Sequence, residues 1–135
     1  MYLLDTNACI QILNDTSKAL LKKFRQYDPV DIKICAVVRA ELVYGARRST
    51  RVQANLDLLQ RFFSLLECLP LDEASADHYG QIRVDLERSG TSIGPNDLMI
   101  AAIARARNLI LVTHNTREFS RVPGLKIEDW ELSDA

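Results

Sequence analysis

The chain alternates short apolar runs with longer segments in which apolar residues recur at helical spacing. The short apolar runs predict buried strands. Apolar residues that repeat every three or four positions after a capping residue or a proline predict amphipathic helices. The predicted strands lie at 2–4, 32–35, 68–71, 109–113 and 125–130, and the predicted helices at about 8–13, 15–28, 36–48, 51–66, 72–88, 95–107 and 115–119.

Strands that alternate with helices are typical of an α/β fold, in which helices cover both faces of a parallel sheet. The predicted strands are short and mostly apolar, as central parallel strands are because both of their faces are buried. No linker divides the chain, and 135 residues suit one compact domain. We therefore predict a single α/β domain over residues 1–135, with a central, mostly parallel sheet of four or five short strands and about seven helices.

Acidic residues stand near the ends of these elements. Ligands of open α/β sheets bind beyond the carboxyl ends of the strands, and Asp5 directly follows the first strand. Asp97 lies in the first turn of a helix, and Glu118 lies in the segment THNTRE after the strand at 109–113. Glu41 lies on an otherwise apolar helix face, where an ionised carboxylate is costly unless a partner neutralises it.

Each acid also has a purely structural interpretation. Asp5 could cap the following helix, although Thr6 and Asn7 are better placed as caps and would leave the Asp5 carboxylate free. Asp97 could serve only to favour the positive end of its helix. Glu118 could complete a capping box.

Together the acids predict a divalent cation. Several carboxylates in one cleft repel one another, and without counter-charge some are pushed towards the protonated form. A divalent cation relieves this repulsion, and ligands that are only oxygen favour Mg²⁺ or Mn²⁺. The sequence contains no Cys or His cluster with zinc-ligand spacing. Carboxylates that hold such ions are typical of metal-assisted phosphoryl chemistry.

Four segments carry a family resemblance: LLDTN at 3–7, VVRAELVYGARRS at 37–49, GPNDLMIAAIARARN at 94–108 and LVTHNTREFSRVPGLKIEDW at 111–130. In this order and spacing they resemble the PIN-domain ribonucleases, and specifically the toxin components of bacterial VapBC toxin–antitoxin pairs. The resemblance spans nearly the whole chain and implies a three-layer PIN-like fold. It implies that Asp5, Glu41 and Asp97 bind the metal.

One position departs from the family pattern. Many members carry Asp where this chain has Asn115, and Asn cannot supply the charge. The resemblance therefore assigns the fourth catalytic acid to Glu118, and it leaves Asn115 to order a water or to cap the helix. Thr6, Asn7 and Thr113 match the family's polar residues beside the acids.

The resemblance also implies an activity and partners. The activity is that of a toxin endoribonuclease of a type II toxin–antitoxin system, which hydrolyses RNA with Mg²⁺ or Mn²⁺ and leaves 5′-phosphate and 3′-hydroxyl ends. The implied substrate is folded RNA, with tRNA, and the initiator tRNA anticodon region in particular, as the candidate. The implied partners are a VapB-type antitoxin, a second copy of the chain in a homodimer, and operator DNA reached through the antitoxin.

Charge distribution is more informative than the net charge of −1. Without the four proposed ligands, 17 basic residues face 14 acidic ones, because four of the 18 acids are set aside. Clusters of Lys and Arg can track phosphates, although most such groups are solvated helix faces. Arg117 is the preferred candidate for contact with substrate because its neighbours lie in the proposed site.

The remaining composition bears on the compartment. Three widely spaced cysteines without a CxxC pair are typical of small buried side chains in a reducing environment. No apolar run approaches the length of a membrane span, and no secretory signal is recognisable. We therefore expect a cytoplasmic protein.

Two other functional classes stay open. A PIN fold that has lost its metal could be a catalytically inactive scaffold or co-repressor, which Asn115 favours and the retention of Asp5, Glu41 and Asp97 disfavours. A phosphoaspartate protein is the second class. The aspartyl phosphatases would need a second Asp two residues after Asp5, where this chain has Asn7.

Overall fold

The computed structural model describes residues 1–132, in which five strands and seven α-helices follow one another along the chain. A 3₁₀ turn at Pro29–Asp31 precedes the second strand. In chain order the elements are β1 Tyr2–Leu4, α1 Thr6–Asn14, α2 Lys18–Gln26, β2 Ile32–Cys35, α3 Ala36–Arg47, α4 Val52–Phe63, β3 Glu67–Leu69, α5 Glu73–Arg88, α6 Pro95–Ala106, β4 Ile110–Val112, α7 Thr116–Phe119 and β5 Ile127–Glu128.

The strands form one parallel sheet in the order β3-β2-β1-β4-β5. In the central pair, Leu4 of β1 is in register with Val112 of β4. The chain leaves β1 towards β2 and β3 on one side and later returns to β4 and β5 on the other. The boundary between β1 and β4 is therefore a topological switch point, where ligands of open α/β sheets bind.

Right-handed crossovers place the helices on both faces of this sheet. The β1–β2–β3 connections run in one direction and the β3–β4–β5 connections in the other, so the right-handed rule puts α1 to α4 on one face and α5 to α7 on the opposite face. The packing of α3 against α4 and of α5 against α6 agrees with this arrangement. The α/β fold class, with five strands and seven helices, confirms the sequence prediction.

The core lies between the sheet and the two helical layers. Leu3, Ile34 and Leu111 are fully buried in the strands, and Ile100 and Ile103 of α6 are equally buried. Residues 100–104 of α6 are all buried, which explains why the middle of this helix is apolar around its whole circumference.

Lys33 is an exception in the core. All four residues of β2 are buried, because β1 and β3 flank its edges and helices cover the faces of the sheet. The Nζ atom of Lys33 donates to the carbonyl oxygen of Val30 at 2.8 Å and lies 2.9 Å from Oε1 of Glu67. These two contacts satisfy a cation that the strand would otherwise bury alone.

The chain after β5 differs from the prediction. β5 ends at Glu128 instead of reaching residue 130, because the chain turns and buries Trp130. The Trp130 ring stacks on Tyr27 at a centroid distance of 5.3 Å and meets the edge of Tyr2 at 5.0 Å. This aromatic cluster fixes the position of Asp129 at the carboxyl end of β5.

No helix among residues 1–132 is both long and apolar enough to cross a membrane.

Candidate active site

Asp5 lies at the switch point, directly after β1, with only 6 % of its surface exposed. Its Oδ1 atom accepts a hydrogen bond from the backbone N–H of Ala8 at 2.8 Å, so Asp5 is the N-cap of α1. The prediction that Thr6 or Asn7 caps this helix was wrong. The helix begins at Thr6, two residues earlier than predicted, and this start places Asp5 in the capping position.

The Asp5 carboxyl that caps α1 also has a raised pKa. Burial raises the pKa of its carboxyl group, and the carboxylates of Glu131 and Glu41 add to the rise. Hydrogen bonds from the Thr113 hydroxyl and the Ala8 amide oppose it. The Asp5 carboxyl group therefore combines a structural bond with unfavourable negative charge in its surroundings.

Glu41 approaches this group from α3. The Thr6 hydroxyl donates to Glu41 Oε1 at 2.6 Å, which ties the start of α1 to the middle of α3. Two neighbouring arginines contact aromatic rings instead: the Arg39 guanidinium lies 4.3 Å from the Phe63 ring centroid, and that of Arg48, just after α3, lies 5.5 Å from the Tyr44 centroid. Glu41 is half-buried without help from either arginine.

Asp97 occupies the first turn of α6, which Pro95 begins. Burial raises its pKa from 3.8 to about 6, and the carboxylates of Glu118, Glu41 and Asp5 contribute. The nearby Glu118 side chain is thus one cause of the raised pKa. A bound cation would relieve the repulsion between these two carboxylates.

Asn115 orients Glu118. The Asn115 Nδ2 atom donates to Glu118 Oε2 at 3.1 Å, and the Asn115 backbone N–H donates to the Thr113 hydroxyl at 3.0 Å. Asn115 occupies the N-cap position of α7, as predicted, but its side chain caps no backbone N–H. Its side chain positions the neighbouring acid instead.

Asp5, Glu41, Asp97 and Glu118, hereafter the acidic cluster, thus come from four separate segments and act on one another electrostatically. Within residues 1–132, none of these four forms a salt bridge with Lys or Arg. Four clustered carboxyls without a cationic side chain among them fit the donor set of a hard divalent cation. Their joint coordination of one ion stays a prediction.

Two further predicted site residues make fewer contacts. Asn7 and Arg117 are both exposed, and neither side chain forms a hydrogen bond or a salt bridge within the described part of the chain. Arg117 follows Asn115 by two residues in α7 and remains available to a phosphate. Their roles stay predictions.

A second group of ligand-type side chains lies beside the acidic cluster, and the sequence analysis missed it. His114 Nδ1 lies 2.9 Å from Asp129 Oδ2 and 3.7 Å from Glu131 Oε2, and the pKa of His114 is raised, first by its bond with Asp129. In residues 1–132 this is the one set of three whose donor atoms already lie within 4.8 Å of one another. The sequence offered one signal for this group, the position of its residues: His114 follows β4 and Asp129 follows β5, and these strands are adjacent in the sheet.

Arg105 and Arg107 make structural contacts. Arg105 donates to His78 Nδ1 at 2.9 Å, to Gln81 Oε1 at 3.0 Å and to the carbonyl oxygen of Pro123 at 3.0 Å. Arg107 pairs with Asp72, at the start of α5, at 3.2 Å. His78 is half-buried and accepts the Arg105 hydrogen bond.

Comparison with known proteins agrees with this geometry. The family model described as "PIN domain" matches residues 2–125. The tRNA(fMet)-specific endonuclease VapC of Shigella flexneri is 43 % identical over 129 residues, which cover 96 % of this chain and 97 % of that protein.

Two solved structures are also similar. DNA-bound VapBC from Salmonella typhimurium superposes with a TM-score of 0.90 at 42 % identity, over 96 % of this chain and 97 % of that one. VapBC2 from Rickettsia felis, bound to a promoter DNA fragment, gives 0.89 at 37 % identity, over 96 % and 98 %. This chain therefore belongs to the PIN-domain family and, within it, to the VapC group.

Proposed function

We propose that the chain is the toxin of a type II toxin–antitoxin pair, a metal-dependent endoribonuclease that hydrolyses RNA phosphodiester bonds. The observation that carries this proposal is the acidic cluster: acids from four distant segments lie close enough to raise the pKa of Asp5 and Asp97, and none of the four pairs with Lys or Arg within residues 1–132. Such a cluster is unfavourable in the free protein and becomes favourable when a divalent cation binds.

Asp5, Glu41 and Asp97 are the proposed metal ligands, and Glu118 completes the catalytic set. A bound Mg²⁺ or Mn²⁺ would supply Lewis acidity and would lower the pKa of a bound water towards neutrality. The chain prepares these ligands through its own hydrogen bonds. The Thr6 hydroxyl orients Glu41, and Asn115 orients Glu118.

Asp97 must lose its proton to act as a ligand. Its pKa of about 6 means that it is mostly ionised at neutral pH and protonated in more acidic solution. We therefore expect metal binding to weaken as the pH falls below about 6.

A route through the ribose 2′-hydroxyl would need a general base such as histidine. His78 is held by Arg105 through Nδ1, and His114 is held by Asp129 through Nδ1. Neither contact occupies Nε2, so the carboxylate route is supported by the acidic cluster and by the family match rather than by the histidines. It predicts fragments with 5′-phosphate and 3′-hydroxyl ends.

The proposed substrate is tRNA, with cleavage near the anticodon of initiator tRNA as the specific candidate. Support comes from the relative named for tRNA(fMet)-specific endonuclease activity. A single-stranded loop exposes its backbone and bases as a duplex does not, which suits an open cleft. Arg117 is the proposed phosphate contact beside Glu118. We place this activity in the cytoplasm.

The proposed partners are a VapB-type antitoxin and a second copy of the chain, with operator DNA bound through the antitoxin. Support comes from the two DNA-bound VapBC structures. A groove of about 270 Å³ between α1, α3 and α4, with Ile10, Leu13, Leu58 and Leu59 in its walls, is a candidate seat for the antitoxin. Ile10 and Leu58 are each 40 % exposed there.

Purified protein incubated with total cellular RNA tests the proposal, with Mg²⁺, with Mn²⁺ and with EDTA, followed by mapping of the cut ends. We expect metal-dependent cuts that Asp97→Asn abolishes. Asp85→Asn makes the same chemical change at an exposed position of α5 and should cleave as the wild type does. Cleavage that persists in EDTA, or ends that carry a 2′,3′-cyclic phosphate, would reject the metal mechanism. Intact RNA in every condition would support the inactive scaffold.

A further inference from the structure

A pocket of about 620 Å³ opens beside the acidic cluster, between α3 and the start of α6. Its apolar wall contains Val37, Tyr44 and Met99. Thr6 and Glu41 form its polar wall and are joined by their 2.6 Å hydrogen bond. The pocket therefore shares one carboxylate with the acidic cluster, and a molecule that fills it lies next to the proposed reaction centre.

Tyr44 is the unusual residue of this pocket. Residues 1–132 contain nine Phe, Tyr and Trp side chains, and Tyr44 is the one that is largely exposed, at 65 %. The Arg48 guanidinium carbon lies 5.5 Å from the centre of its ring. The guanidinium lies over one face of the ring, so a base can stack on the other face while its phosphate meets the cation.

We propose that this pocket binds a nucleobase of the RNA substrate, on a nucleotide that flanks the cleaved phosphate. The Tyr44 ring is the stacking platform, and Arg48 contacts the phosphate of that nucleotide. Asn96 also lines the pocket and supplies an amide donor and acceptor for the edge of the base. This inference rests on the proposed function, because the base must belong to the RNA whose backbone reaches the acidic cluster.

The positions of Asn96 and Arg48 favour RNA over a protein partner. An apolar protein segment would leave Asn96 facing it without a counterpart. An RNA strand instead places its base on the apolar wall and its backbone towards the cation at the acidic cluster and towards Arg48. The two walls of the pocket thus match the two parts of one nucleotide.

The test uses the full chain and a synthetic RNA that carries a cleavage site mapped with the wild type. Tyr44→Ala should lower kcat/KM between about fivefold and a hundredfold, the range expected for loss of one base stack. Tyr44→Phe should keep most of the activity because the ring remains. Leu65→Ala removes apolar surface at a site 58 % exposed outside the pocket and should cleave as the wild type does.

Abasic substitutions in the RNA identify the contact. Removal of one flanking base should impair cleavage by the wild type, but should add little to the defect of Tyr44→Ala, since the stack is already lost. If every abasic position impairs both proteins equally, Tyr44 contacts no base and the inference is wrong. Unchanged cleavage by Tyr44→Ala would overturn it as well.

Two further measurements separate the possible failures. If Tyr44→Ala changes the molar mass in light scattering, the pocket is a protein interface and the inference falls. If the wild type cleaves no RNA, the proposed function fails on its own. Fluorescence anisotropy with labelled RNA in EDTA then still tests the inference. The inference requires that Tyr44→Ala bind the RNA more weakly than Tyr44→Phe does.

Discussion

Asp97→Asn should make the metal-free protein more stable while it abolishes cleavage. The Asp97 carboxyl is half-buried among three other carboxyls, and its pKa rises from 3.8 to about 6. An asparagine of nearly the same shape removes the ionisable group and keeps an amide that can donate to Glu118. The ionised form of Asp97 that the reaction requires is therefore the form that the metal-free fold disfavours.

The magnitude follows from the shift. About two pKa units at 1.36 kcal/mol each give roughly 3 kcal/mol as an upper bound. Because the side chain is half-exposed, solvent and salt screening reduce this to about 1 to 1.5 kcal/mol. For a chain of this size we expect Tm to rise by about 5 °C at pH 7.5 in EDTA.

The pH dependence has a definite sign. The folded state keeps the Asp97 proton more tightly than the unfolded state, so this carboxyl costs no stability well below pH 3.8, and its cost grows as pH rises to about 6. The advantage of Asp97→Asn should therefore be full at pH 7.5 and shrink as pH falls towards 4.

Urea and thermal unfolding followed by circular dichroism between pH 4 and pH 8 measure this difference. Asp85→Asn is the matched control, because Asp85 is exposed and its side chain makes no hydrogen bond or salt bridge within residues 1–132. A variant less stable than the wild type at pH 7.5, or an advantage that does not change with pH, would refute the reasoning.

Three other predictions follow from particular contacts. Millimolar Mg²⁺ or Mn²⁺ should raise the Tm of the wild type but not that of Asp97→Asn, as measured by differential scanning fluorimetry. Equal shifts in Tm would mean that the ion binds elsewhere. Asp5→Asn should fold normally, since Asn also caps helices, but it should not cleave RNA. Asp5→Ala should not cleave RNA either and should lose about 1 kcal/mol of unfolding free energy. Equal stability of the two variants would argue against the bond to Ala8. Lys33→Ala should lose about 1 kcal/mol of unfolding free energy with the hydrogen bond to the Val30 carbonyl, and the loss of the buried Lys33 stem adds to this. Glu67→Gln should lose less than about 1 kcal/mol because Glu67 is exposed, and a reversed order in urea unfolding would contradict this account.

Much of the fold followed from periodicity. All five strands and all seven helices of the described residues match predicted segments, because short apolar runs and helical spacing encode local structure directly. Element ends were less predictable. α1 starts at Thr6 and β5 stops at Glu128, since the Asp5 cap and the burial of Trp130 depend on contacts that spacing does not express.

The candidate site divides in the same way. The sequence identified Asp5, Glu41, Asp97 and Glu118 one by one, because an acid at a strand end or on an apolar face is conspicuous, and the family resemblance grouped them. Their mutual effect on pKa depends on distance and burial, which arise only when four segments meet at one edge of the sheet.

Residues of ordinary local appearance were the ones that only tertiary structure could assign. No local pattern in the sequence links His114 to Asp129. The pairing of β4 with β5 places the two side chains 2.9 Å apart. In the sequence, Tyr44 is an ordinary residue of an amphipathic helix. Only the packing of the start of α6 near α3 makes Tyr44 part of a pocket wall. The sequence by itself determined which elements form and which acids stand at their ends, because both are local properties. The tertiary structure decided which side chains share a charge environment or a cavity, because that depends on how strands distant in the sequence are ordered in the sheet.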